Sequence, residues 1–124
     1  NPLTGAKKWE VPLTDFPSSA GMLATGGGLV FTGKLTGDFV ALDEDTGKTV
    51  WQFKTGSSIN STAITYTYKG KQYVAVYAGI GGDWFLLSGD VRSDDTADLR
   101  PPADFAPDLA RHTSQGGIVW IFGL

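Results

Sequence analysis

The chain has 124 residues, 41% of them apolar and 12% aromatic, which is enough to build a packed core and argues against disorder. Ten Lys and Arg stand against 13 Asp and Glu without any basic run, so the electrostatic footprint of a nucleic-acid or anionic-membrane partner is missing. No apolar stretch reaches the roughly 20 residues that span a bilayer, and the absence of cysteine removes disulfides, thiolate metal sites and thiol nucleophiles.

Glycine at 17 positions and proline at 6 suit tight turns between short strands, so an all-β fold is expected. In chain order, the first feature is Asn1, Thr4, Gly5 and Trp9, which return in the same spacing as Asp43, Thr46, Gly47 and Trp51. A period of about 40 residues falls in the range of one four-stranded propeller blade. The chain opens without methionine in the middle of such a repeat, which points to a piece of a longer protein.

Residues 28–32 and 38–42 are rich in strand formers, and Gly33 to Gly37 supply hairpin chemistry between them. Asp45, Thr46 and Gly47 predict a second turn, because Asp bonds its own backbone and Gly accepts a positive φ; residues 49–53 then continue as a strand. Residues 62–68 and 72–77 form a further hairpin around Lys69, Gly70 and Lys71, with sequence neighbours antiparallel throughout. Helical periodicity is weak: residues 104–111 allow a turn or two, cut short by Pro107. Residues 89–115 carry several acids, Pro101 and Pro102, and few apolar side chains, which predicts a long surface loop. The apolar run 117–122 predicts a strand buried on both faces, of the kind that closes a ring.

The pattern Ala41, Asp43, Thr46, Gly47 and Trp51 resembles the tryptophan-docking repeat of dehydrogenases that depend on pyrroloquinoline quinone (PQQ). In that family the Trp lies flat between blades while the small residues make room and bond around it. An indole gives this arrangement a physical basis, since it buries a large area and its N–H needs an acceptor. The resemblance continues through residues 21–31 and through residues 55–60 with 70–75, which are similar to the glycine-rich approaches to two late blades. Ala78, Gly79, Gly81, Gly82 and Trp84 are similar to a Gly-Gly-Trp segment of methanol dehydrogenases, and residues 115–122 to the closing strand. The resemblance therefore covers roughly residues 1–88 and 115–124, in the family's own order. Two departures, Ser19 where methanol dehydrogenases carry Trp and the inserted Asp83, weaken methanol as the substrate, and residues 57–62 are closer to the sugar- and polyol-oxidising branches.

The resemblance implies the C-terminal part of one quinoprotein β-propeller domain over residues 1–124: about three four-stranded antiparallel blades including the ring-closing strand, with the 89–115 loop inside it. It further implies a periplasmic oxidoreductase that oxidises alcohols, polyols or sugars, with PQQ and a calcium or lanthanide ion on the propeller axis. A cytochrome c is the implied electron acceptor, and the remainder of the propeller the implied partner. The family's metal carboxylates, proton-accepting Asp and vicinal cysteines lie upstream, so this stretch is expected to hold no catalytic residue and no metal ligand, and to be inactive alone. Its implied contribution is one wall of the cofactor cavity, built by Gly82, Asp83 and Trp84: glycines let backbone approach a flat ligand, and an indole can cover it.

Other residues have simpler explanations. His112 is the only histidine, too few for a metal cluster or a triad, and reads as a surface residue. Asp90, Asp94 and Asp95 lack the alternating ligands of a calcium loop. Asn60, Ser61 and Thr62 fit a glycosylation sequon but read as strand-approach packing. The competing function is a non-catalytic propeller scaffold that binds proteins and no cofactor; the repeat serves both, whereas Gly82, Asp83, Trp84 and the long loop favour the enzyme.

Overall fold

The computed structural model describes residues 1, 3–12, 20–79 and 116–124. Seven strands form: β1 (Met22–Ala24), β2 (Leu29–Gly33), β3 (Asp38–Asp43), β4 (Thr49–Lys54), β5 (Ile64–Tyr68), β6 (Lys71–Gly79) and β7 (Gly117–Gly123). They build two antiparallel sheets, β1-β2-β3-β4 and β5-β6-β7, with each strand beside its sequence neighbour. Where about three four-stranded blades were expected, the described residues form two sheets, one of four strands and one of three, and residues 3–12 carry part of a further repeat without a strand.

Turn chemistry sets the register. Lys69 and Gly70 take φ of 49° and 76°, the pair of positive values that matches a two-residue turn to strand twist, and β5 pairs β6 from Tyr68 opposite Lys71 onward. Between β2 and β3, the Gly37 N–H donates to Lys34 O at 2.9 Å with Gly37 at φ 85°. The bulge between Ala41 and Leu42 keeps Ala41 opposite Trp51.

The sheets pack face to face. Phe31, Phe39 and Ala41 from the first meet Val74, Val76 and Ala78 from the second, with Ile59 and Ala63 of the connecting segment between them. Trp120 and Phe122 pack against this core from β7. The connection is itself buried: Ser58 is fully enclosed and donates to Leu35 O, and Thr55 Oγ1 lies 2.8 Å from both Gly37 O and Ser57 O. A buried hydroxyl must find such an acceptor, so this polar loop is tied to the hairpin tip.

Two expectations change. Strand β1 does not stand out in the sequence, because Gly21 and Gly26 to Gly28 mask three strand-forming residues. Strand β7 forms where the apolar run predicts it, yet it is not buried on both faces: Val119 and Ile121 are more than half exposed. Among the described residues β7 is an edge strand with a sheet packed over one side only.

Gly37→Ala in the complete protein is expected to cost about 2–3 kcal/mol, since φ is left-handed and the new Cβ would sit 2.7 Å from Ser57 O. Gly70→Ala shares the positive φ but meets nothing within 4 Å, so it is expected to cost about 1 kcal/mol. Denaturant midpoints for the pair separate strain from collision.

Candidate functional site

The two copies of the repeat fold into the same turn. Asp43 Oδ1 accepts from the backbone N–H of Thr46 at 2.8 Å, from its hydroxyl at 2.7 Å and from the Asp45 N–H at 3.2 Å. The Gly47 N–H closes the turn on Asp43 O at 2.9 Å. In the first copy Asn1 Oδ1 accepts from the N–H groups of Leu3 and Thr4, and Gly5 closes on Asn1 O at 2.8 Å. Gly5 and Gly47 share φ values of 69° and 70°.

Trp9 docks on the second turn. Its Nε1–H donates to Glu44 O at 2.9 Å, and its ring covers Gly47 so closely that a Cβ there would lie 2.7 Å from Cδ2 and Cε3. Lys8 adds an exposed ion pair to Asp45 at 2.6 Å. The Thr46 bonds hold the Asp43 carboxyl below its ordinary value, and the Asp45 hydrogen bond raises the Lys8 ammonium. Both groups are exposed, and such pairs add little to stability.

Trp51 lies at the next seam. It pairs with Ala41 across β3 and β4 and meets Phe122 of the second sheet edge-on at 5.1 Å. Phe53 contacts Trp120 in the same way at 4.8 Å, and the Trp120 Nε1–H donates to Thr55 O at 3.2 Å. Both docking indoles therefore sit where one repeat meets the next, although Trp51 meets ring edges and Trp9 a turn glycine. An open groove of about 500 Å³ runs beside Trp51, lined by Phe31, Ala41, Val50, Ile121 and Phe122 among others. It is apolar throughout its side chains, without the convergent polar groups of a ligand site.

Of the residues expected to line the cofactor cavity, Gly82, Asp83 and Trp84 lie outside the described residues, as do His112, the Asp90 to Asp95 acids, the 104–111 helix and the 89–115 loop. Gly79 is described and ends β6 opposite Gly117 of β7. Close approach at this glycine pair is already used: a Cβ on Gly79 would meet Tyr77 Oη at 2.7 Å, and one on Gly117 would meet it at 2.6 Å. The Gly79 N–H donates to Ser58 O at 2.8 Å, and the hydroxyl of Ser61, the middle residue of the Asn60-Ser61-Thr62 triplet, donates to Tyr77 O at 2.8 Å. Sequence reasoning missed Tyr77, Ser58 and Trp120; only the glycine excess near residue 79 hinted that something lies close there. Among the described residues no three metal-ligating side chains come together.

Repeats joined by indole docking, with antiparallel sheets of four and three strands packed face to face, define blades of a β-propeller. The family described as "Glucose/ethanol/alcohol dehydrogenase, beta-propeller domain", the PQQ family, matches residues 2–74, and the chain belongs to it. Methanol dehydrogenase [cytochrome c] subunit 1 of Methylobacterium organophilum is 45% identical over all of this chain and 20% of its own length. A quinoprotein ethanol dehydrogenase of Pseudomonas aeruginosa is 40% identical over all of this chain and 17% of its own. Among solved structures, a europium-containing methanol dehydrogenase superposes with a TM-score of 0.74 at 38% identity, covering 88% of this chain and 20% of that one. The chain thus spans about a fifth of the length of these relatives.

In the complete protein, Trp9→Ala is expected to cost about 2–3 kcal/mol, below the full Trp truncation range because the ring is only half-buried. Trp9→Phe, which keeps the ring and loses the donor, is expected to cost about 1 kcal/mol. Equal losses in denaturant titrations would show that the hydrogen bond, and not the stacked area, holds the seam.

Asp38 gives a pH signature. Burial pushes its carboxyl up, but hydrogen bonds from Thr36 and Gln52 and the Lys54 ammonium outweigh burial and leave it below its ordinary 3.8. A depressed folded value means stabilisation that is complete above 3.8 and lost as pH falls below it through the folded value. The stability gap between wild type and Asp38→Asn should therefore be constant near neutrality and close below about pH 4. A gap that widens on acidification would reverse the assignment.

Proposed function

We propose that the complete protein is a PQQ-dependent alcohol dehydrogenase and that this chain supplies late blades of its propeller, with residues 1–124 in a single domain and 89–115 as a loop within it. The observation that carries this reading is the Trp9 seam, found in a chain aligned over its full length with methanol and ethanol dehydrogenases. The scaffold alternative has no comparable support. Relatives named as lanthanide-dependent methanol dehydrogenases favour PQQ with either calcium or a lanthanide. The name "methanol dehydrogenase [cytochrome c]" favours a cytochrome c acceptor, and with it a periplasmic location.

When bound, the quinone accepts a hydride equivalent from the alcohol carbon. This chain's part is to support one wall. Among the described residues the side-chain-free backbone of Gly79 and Gly117 is already covered by the ring of Tyr77, so that pair is not itself a bed for the quinone. Gly82, Asp83 and Trp84, the next residues but two along the chain, are proposed as the cofactor contacts, Trp84 as the cover and Asp83 toward substrate hydroxyls.

The remainder of the propeller is the natural partner of two uncovered faces. Val11, Met22, Val40 and Leu42 line a groove on the outer side of the first sheet. Ile64, Tyr66, Tyr77, Val119 and Ile121 expose an apolar face on the second. Face-to-face packing of the two sheets shows how a further blade would cover each.

The complete protein, reconstituted with PQQ and either calcium or a lanthanide, is expected to reduce an artificial electron acceptor when given primary alcohols. Trp84→Ala should lower PQQ retention on gel filtration by about tenfold or more. Inactivity with every metal across a broad alcohol panel would favour the scaffold instead.

A further inference from the structure

We draw no further inference here: the strongest candidate, the apolar groove between β4 and β7 beside Trp51, belongs to the seam between repeats already described, and nothing in the structure shows what covers it.

Discussion

Trp9 lies on Gly47 with no space for a methyl group between them, and its N–H reaches the carbonyl of Glu44 in the same turn. An indole there couples two repeats through area and direction at once: stacking resists separation, and the hydrogen bond resists sliding. The seat is made by residues that cannot themselves stack. Asp43 folds the turn by taking the Thr46 N–H and hydroxyl, and that geometry presents the bare Cα of Gly47 to the ring. Each repeat carries both a seat and an indole, so the contact can propagate from blade to blade. Repeat proteins gain stability from such nearest-neighbour contacts, and a ring needs them in every seam.

The parts of the fold that local chemistry determines were legible in the sequence. The turn before β4 was legible but its acceptor was not: Asp45 was expected to bond its own backbone, whereas Asp43 Oδ1 takes the Asp45 N–H and the Thr46 N–H and hydroxyl, and the Asp45 carboxylate pairs with Lys8. The Lys69-Gly70 turn was legible as well. The rest depends on contacts that sequence separation hides. The Trp120 donor finds Thr55 O across 65 positions, and Ser58 finds Leu35 O across 23. Residues 57–58 read as a polar loop, yet they are among the most enclosed in the structure because they cross a hairpin tip whose carbonyls need donors. The apolar run of β7 correctly implied a strand but not how many sheets cover it, since hydrophobicity records a demand for burial and not the element that meets it. The wall expected at residues 82–84 rests on family resemblance alone, because glycines followed by Trp fit an inter-strand loop with its aromatic in a blade core as well as a cofactor bed.

The seam beyond Trp51 differs from that of Trp9 in an informative way. The second sheet offers Phe122 and Trp120 instead of an Asx-Thr-Gly turn, so the contact becomes a cluster of ring edges around Phe39 and Phe53. Edge-to-face contacts are tolerant of small rotations, whereas an indole pressed on a glycine and bonded to a carbonyl is not. Two contacts in this seam are directional all the same: Phe122 stacks on Phe39 at 5.7 Å, and the Trp120 Nε1–H reaches Thr55 O at 3.2 Å.

That tolerance has a cost for any site carried by the last sheet. A wall that moves with a loosely registered blade would lose its alignment to the ring's centre unless it were tied to something stiffer. The segment 55–61 provides that tie, because it bonds the Gly37 and Leu35 carbonyls of the first sheet on one side and Gly79 and Tyr77 of the second on the other. Its bonds are directional, and those of Thr55 and Ser58 are buried, where the aromatic seam is broad. The end of β6 is thereby referenced to the hairpin of the preceding blade more firmly than to its own exposed edge. Gly79, the last residue of β6, is therefore placed by the first sheet as well as by its own.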